Sequence, residues 1–193
     1  MYASIWDTGG DDTIRYAGTS KAVIDLRAAT LLNAAGGGGF VSYANGTVGG
    51  YTIAHGVVIE NAVGGSGDDT ITGNDADNFL NGRGGDDTFT GGSGNDTIEG
   101  GAGTDTALFS GAETDYAITA NGDGSQTIVD LRAGSPDGTD TLTNIEALVF
   151  LGDPLGRIFT GDATNDRIAG TAYDDLINGE DGNDVLVGLE GDD

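Results

Sequence analysis

Cysteine is absent, so neither a disulfide scaffold nor a thiol site is possible. Histidine occurs once, at His55, too few for any site built on several imidazoles. Cationic residues are scarce: 7 Lys and Arg stand against 32 Asp and Glu, a formal net charge of −25. That balance argues against nucleic acid or anionic lipid as partners. Apolar runs are short, and none approaches the roughly 20 residues of a membrane-spanning helix. Residues 1–20 lack a charged start followed by an apolar core, so no signal peptide is expected there. Glycine is in excess instead, at 37 of 193 residues. An acidic, glycine-rich chain is disordered by default, because it buries little apolar surface and repels itself.

A strict period overrides that default. From Gly64 to Leu108 the chain divides into five blocks of nine, GGSGDDTIT, GNDADNFLN, GRGGDDTFT, GGSGNDTIE and GGAGTDTAL. Each opens on Gly and carries Asp or Asn at its sixth place: Asp69, Asn78, Asp87, Asp96 and Asp105. The eighth places are Ile71, Leu80, Phe89 and Ile98, with Ala107 the one weak member. This is the glycine-rich nonapeptide pattern GGxGxDxUx, which predicts an all-β, right-handed parallel β-roll that binds calcium. The first six residues of a block turn the chain, and glycine permits the positive φ and close backbone approach of such a turn. The last three form a strand with one side chain pointing inward. Two blocks complete a coil, so Asp69, Asp87 and Asp105 stack in one column and Asn78 and Asp96 in another. Stacked carboxylates repel unless a cation lies between them. Carboxylate and carbonyl oxygens, with no soft ligand on offer, point to Ca²⁺ rather than zinc or copper.

Such strands bury too little to offset backbone ordering, which costs about 1–2 kcal/mol per residue. Burial of the inner column, worth roughly 25 cal/mol per Å², helps without sufficing. Metal binding is therefore expected to be folding free energy, with disorder in its absence. Pairing alternate blocks predicts three sites in this array, the one holding uncharged Asn78 being weaker.

The rest of the chain frames this array, giving segments 1–63, 64–108, 109–160 and 161–193. SIWDTGGDDTIR holds a partial block, with Gly10, Asp12 and Ile14 at the fourth, sixth and eighth places. Strands are predicted at Ala22–Leu26, Tyr51–Ala54 and Val57–Glu60, and Trp6 reads as core or end-cap. AAGGGGF lacks the Lys-Ser/Thr of a phosphate-binding loop. In 109–160, TDYAITANGDGSQTIVDL reads as a hairpin, RAGSPDGTDTL as a loop and NIEALVFLG as a final buried strand, together expected to cover the open end of the roll, the alternative being a ligand-binding module of its own. NGDGS is not an EF-hand, because Gln126 stands where that loop requires Gly. A second array follows, GDATNDRIA, GTAYDDLIN, GEDGNDVLV and GLEGDD, with sixth places Asp166, Asp175, Asp184 and Asp193. It predicts the start of a second roll with two further sites, bringing calcium to about five or more. Ending inside a block, the chain is expected to be a fragment, cut at its C-terminus and also at its N-terminus.

IWDTGGDDTI, the glycine-rich middle, IAHGVVIENAVGGSGDDTITGN and the array, in that order, resemble the C-terminal domain of serralysin-type secreted metalloproteases. The resemblance covers roughly residues 4–110 and includes non-repetitive segments. It implies a calcium-binding roll of the RTX type, joined to an N-terminal zinc protease domain and exported to the extracellular space by a type I secretion system. It also implies that Asp7, Gly9, Gly10 and Asp12 form half a calcium site, and that Val58, through its carbonyl, and Glu60 supply ligands. Within the array it implies turn ligands at Gly65, Gly67, Asn74, Ala76, Gly82, Gly84, Gly85, Gly91, Gly92, Gly94, Gly101 and Gly103. The HExxHxxGxxH motif of the protease half needs three histidines, so this chain carries no such catalytic centre and His55 is read as structural. Adjacent carboxylates such as Asp68 and Asp69 recur at each coil, as repeat features rather than a catalytic pair. The alternatives are the tail of another secreted hydrolase or epimerase, and a calcium-stabilised spacer of an adhesin or surface protein.

Overall fold

The structure, a computed structural model, describes residues 2–30, 40–46 and 50–152, with the backbones of strands at 158–160, 167–169, 176–178 and 185–187. The chain divides into two compact units, one of Met1–Ser110 with Thr114–Phe150, the other of Gly111–Glu113 with Leu151–Asp193. Apart from one 3-10 turn at Glu113–Asp115, the described elements are all strands.

The first unit is a two-sheet parallel roll, because successive strands alternate between the sheets. One sheet takes β2 (Thr13–Arg15), β6 (Asn61–Val63), β8 (Phe79–Gly84), β10 (Thr97–Ala102) and β14 (Thr139–Thr143), all paired parallel. The other takes β3 (Ala22–Asp25), β7 (Thr70–Thr72), β9 (Thr88–Thr90), β11 (Thr106–Phe109) and β15 (Ala147–Phe150), again parallel. Register follows the period: Thr70 pairs with Thr88, Phe79 with Thr97 and Thr88 with Thr106. Three smaller pieces complete the unit. The antiparallel hairpin β12 (Tyr116–Ala120) and β13 (Gln126–Asp130) extends the first sheet beyond β14. Strand β4 (Tyr43–Ala44) pairs antiparallel with β3, and β1 (Tyr2–Ile5) pairs parallel with β5 (Gly50–Ile53).

Between the sheets lies the core that the eighth places predict. Ile71, Leu80, Phe89, Ile98 and Ala107 are buried, and Ala62, Ile24 and Leu142 continue the stack at its two ends. The threonines flanking Ile71 and Phe89 are half-buried, as one inward side chain per three-residue strand requires. Where Ala107 fills little space, the neighbouring Phe109, Tyr116 and Phe150 pack as an aromatic cluster with centroids 5.2–5.6 Å apart.

Some expectations change. The coil extends past 64–108 on both sides, since β2 and β3 start it and β14 and β15 add another coil. Residues 57–60 are not a strand, the strand there being β6. The segment read as a loop contains β14, and β15 is half-buried rather than buried, with Val149 exposed. Trp6 is 79% exposed, because alternation beyond β1 turns Ile5 inward and Trp6 out.

In the second unit, β16 (Ile158–Thr160) pairs parallel with β18 (Leu176–Asn178), and β17 (Arg167–Ala169) with β19 (Val185–Val187). Ile168 pairs with Leu186, two blocks apart, so the second array follows the register of the first. Asp166, Asp175, Asp184 and Asp193 lie outside the described residues.

Candidate metal centre

The sixth places form the two columns that the period predicts, and they are buried. Asp69, Asn78, Asp87, Asp96 and Asp105 are 0–3% exposed. Each of the carboxylates accepts the backbone N–H of a residue one coil earlier. Asp69 donates to Asp87 Oδ1 at 2.7 Å, Asp87 to Asp105 Oδ1 at 2.8 Å, and Asn78 to Asp96 Oδ1 at 2.8 Å. The columns run further than the regular blocks. Ala22 N–H donates to Asp69 Oδ1 at 2.6 Å and Asp105 N–H to Glu146 Oε2 at 2.8 Å on one edge. On the other, Asp12 N–H donates to Glu60 Oε2 at 2.9 Å and Asp96 N–H to Asp140 Oδ1 at 2.8 Å.

Two turn conformations decide whether a sixth-place oxygen is satisfied within its own block. In the first two blocks it is: Gly65 N–H donates to Asp69 Oδ2 at 2.7 Å and Asn74 N–H to Asn78 Oδ1 at 2.8 Å. In the next three, the second and fourth places all have positive φ: Arg83 and Gly85, Gly92 and Gly94, Gly101 and Gly103. There Oδ2 of Asp87, Asp96 and Asp105 is buried without a hydrogen-bond partner. An unsatisfied buried polar group costs about 1–3 kcal/mol, more when charged. Burial pushes Asp87 up to about 7, with repulsion from Asp69, Asp105 and Asp68 adding to it. Asp96 rises to about 6 through burial and then Asp77 and Asp137, and Asp105 rises through burial and then Glu146 and Asp86.

Backbone oxygens converge on the same places. A β-carbon added at Gly64 would meet Asp69 Oδ2 and the Gly82 carbonyl; at Gly73, Asn78 Oδ1 and the Gly91 carbonyl; at Gly100, Asp105 Oδ2 and the Asn144 carbonyl. The block opens on glycine because this oxygen-lined space leaves no room for a side chain. Of the other turn positions that the resemblance implies, Gly85 stacks on Gly67, Gly92 on Asn74, Gly94 on Ala76 and Gly103 on Gly85. Gly84 lies in the ladder between β8 and β10, paired with Ala102. A cavity of about 320 Å³ opens along one edge, lined by Gly18, Thr19, Gly65, Ser66, Arg83 and Gly84 among others.

The donor set fits Ca²⁺. It is all oxygen, it mixes carboxylates with carbonyls, and it leaves buried carboxylate oxygens in need of positive charge. Among the described residues no three acidic or histidine side chains form a ready-made cluster, so at each place carbonyls would have to complete what the carboxylates begin.

At the other end of the roll, Asp7 Oδ2 accepts Gly9 N–H at 2.6 Å, and that bond, with Thr8 N–H, holds Asp7 below the usual carboxylate range. Asp12 Oδ2 is buried and unpartnered, and Asp12 is raised by burial and then by Asp7 and Glu60. Gly9 and Gly10 both have positive φ. Glu60 thus neighbours Asp12, and Val58, expected to act through its carbonyl, has its side chain exposed. His55 is exposed, with Nδ1 2.8 Å from the Ala29 carbonyl, a loop contact.

Sequence reasoning missed a second ladder, at the fifth places. Asp86 N–H donates to Asp68 Oδ1, Asn95 N–H to Asp77 Oδ1 and Thr104 N–H to Asp86 Oδ1, at 2.7–2.9 Å. The run Asp68, Asp77, Asp86, Asn95 and Thr104, all able to accept, was its signal. Asp140 and Glu146 were missed because they stand off the period.

The family model described as Peptidase M10 serralysin C terminal matches residues 1–192. Metallopeptidase AprA of Pseudomonas marginalis is 42% identical over 71 residues, 36% of this chain and 13% of its own length. Serralysin of Photorhabdus laumondii is 45% identical, and serralysin C of Dickeya chrysanthemi 44%, each over 69 residues, 35% of this chain and 12% of the relative. The matched segment is thus a small part of these relatives. The extracellular lipase LipA from Serratia marcescens superimposes with a TM-score of 0.44 at 18% identity, over 74% of this chain and 29% of that one.

Proposed function

We propose a function from one premise: this chain belongs to the serralysin C-terminal family of M10 peptidases. Its role is that of a calcium-binding, non-catalytic RTX domain of a secreted protease. It stays unfolded where free calcium is scarce, which suits passage through a type I secretion channel. It folds in the extracellular space, where calcium is plentiful, and steadies the metalloprotease domain attached upstream.

One observation carries this reading: Oδ2 of Asp87, Asp96 and Asp105 is buried and unpartnered, in turns of one conformation. Anionic oxygens at those places oppose folding until a cation takes them up. When bound, calcium neutralises the columns and cross-links successive coils. The chain's own residues supply the rest: the sixth-place carboxylates offer Oδ2, the turns offer carbonyls, and the eighth places provide the dry core. The regular blocks pair as the first with the third, the second with the fourth and the third with the fifth. Asp7, Asp12 and Glu60 hold the leading half-site, and Asp166, Asp175, Asp184 and Asp193 the second array.

The test is far-UV circular dichroism. Addition of millimolar CaCl₂ to the chelated chain at neutral pH should convert coil to β signal, and chelator should reverse it. An identical β spectrum in excess chelator and in calcium would refute the coupling.

A further inference from the structure

The turn that follows Leu108 is split in two. Leu108 is the ninth place of the last regular block, so Phe109 and Ser110 hold the first and second places of the next. The chain then departs through residues 111–136 and returns at Asp137, and contacts at successive places identify what it resumes. A β-carbon at Gly138 would collide with the carbonyl of Gly94, a fourth place. Thr139 N–H donates to Oδ1 of Asn95, a fifth place, at 3.0 Å. Asp96, a sixth place, donates to Asp140 Oδ1 at 2.8 Å. Leu142 then pairs with Ile98, an eighth place. Asp137, Gly138, Thr139 and Asp140 are therefore the third to sixth places of one block whose first two lie before the insertion. Ser110 closes the gap, its N–H donating to Asp137 Oδ2 at 2.8 Å and its Oγ to Asp137 Oδ1 at 2.7 Å.

This composite turn faces the regular turn Gly91–Asp96 across a cavity of about 90 Å³ walled by Gly91, Gly92, Phe109, Ser110, Asp137 and Asp140 among others. Asp96 is 1% exposed, and its unpartnered Oδ2 lies against Gly91 in that wall. Asp140 is 3% exposed, and neither carboxylate is in an ion pair among the described residues. Asp137 is differently placed. It is ion-paired to Arg132 at 3.0 Å and accepts from Ser110 and from the Tyr116 hydroxyl. Asp137 is a positioning residue that joins the halves of the turn, which leaves Asp96 and Asp140, linked by the Asp96 N–H bond to Asp140 Oδ1, without an ion-pair partner among the described residues.

We propose that the composite turn and the turn Gly91–Asp96 form one further site for a divalent cation of the calcium class, held by the carboxylates of Asp96 and Asp140 and by turn carbonyls. The inference rests on the calcium reading above and adds to the sites of the regular blocks. The cavity has room for an ion and a water or two, a water occupying about 30 Å³. On the opposite edge the matching turn is shortened to Asn144, Ile145 and Glu146, which alone connect β14 to β15, with Glu146 accepting Asp105 N–H in the sixth-place manner. Since Ser110 and Asp137 flank the insertion, cation binding here also fastens the chain that carries the hairpin β12–β13.

The experiment counts calcium ions on the full chain by native mass spectrometry, with affinities from calorimetry, for the wild type, Asp140→Ala, Asp140→Asn and Asp123→Asn. Asp140→Ala should bind one calcium fewer. Asp140→Asn, which keeps an acceptor for Asp96 N–H, should weaken one site by about ten-fold, ligand charge being what sets affinity in such sites. If Asp140→Ala does not fold, Asp140→Asn carries the test alone. Asp123→Asn, which removes one carboxylate from the hairpin turn outside the columns, should keep the full count; a loss there as large as in the Asp140 variants would mark a general effect of lost charge and overturn the proposal. Wild-type count and affinities in both Asp140 variants overturn it while leaving the calcium function standing. A wild type that binds no calcium overturns both.

Discussion

Asp96 donates its backbone N–H to Oδ1 of Asp140, 44 residues further along the chain, at 2.8 Å. The same bond, at nearly the same length, joins Asp69 to Asp87 only 18 residues on. The coil repeats in space where the sequence has ceased to repeat, and the energetic consequences of the columns extend to residues outside the arrays.

One consequence concerns pH. Burial pushes Asp87 to about 7, Asp96 to about 6 and Asp140 to about 8, above the roughly 4 of a carboxylate in the unfolded chain. Between those values the folded chain binds more protons than the unfolded one, so stability falls as the pH rises. In chelator, the stability contributed by these groups is fully present near pH 4 and is lost as the pH climbs through about 6 to 8. In EDTA, far-UV circular dichroism should show more β signal at about pH 5 than at about pH 8. A β signal that increases with pH under those conditions would contradict this.

Replacement of Asp87 by Asn should have opposite effects with and without metal. The amide keeps an acceptor for Asp69 N–H and removes a buried charge, and Asn78 shows that the fold permits an amide at a sixth place. Asp87→Asn should therefore stabilise the chelated chain and lower calcium affinity. Asp87→Ala, which strands Asp69 N–H, should cost about 1–3 kcal/mol more than Asp87→Asn in calcium-saturated denaturation.

At the centre of the core, Phe89 is fully buried between the sheets. Phe89→Ala should cost about 3–5 kcal/mol, measured by urea denaturation in saturating calcium, because the stacked turns restrict collapse around the cavity. Val149→Ala, at an exposed position of β15, should fall within about 0.5 kcal/mol of the wild type.

The hairpin depends on Arg132. Its guanidinium pairs with Asp130 at 2.7 Å and holds the Asp130 carboxyl down at about 2. Here the sign is the reverse of that at Asp87: the stability is present above the unfolded value of about 4 and is lost as the pH falls through about 2. Removing one partner strands a buried carboxylate, so Arg132→Ala should destabilise the first unit by about 3–5 kcal/mol near neutral pH. Amide exchange should locate the loss first in β12 and β13; uniform protection across them in the variant would count against it.

The regular coils were legible because their signals are local. Glycine at the first place, Asp or Asn at the sixth and an apolar residue at the eighth repeat within nine positions. Turn sterics and one inward side chain then determine where Ile71, Leu80, Phe89 and Ile98 go. The hairpin was legible for the same reason, as two alternating runs around turn residues. Trp6 was misjudged because an aromatic's size predicts burial, while its actual face follows from the alternation after Ile5.

By itself, then, the amino-acid order determined the period, the two columns, the apolar spine and the oxygen-only donor set of the columns, since each depends on neighbours within two coils. Tertiary pairing alone decided that Asp140 and Glu146 prolong those columns, and that a turn can be assembled from Phe109–Ser110 and Asp137–Asp140. It also decided which oxygens stay unpaired, because turn conformation, not residue type, separates Asp69 from Asp87. The reason is physical: a parallel ladder matches backbone to backbone, and it accepts any segment that presents the right N–H and carboxylate, however far along the chain that segment lies.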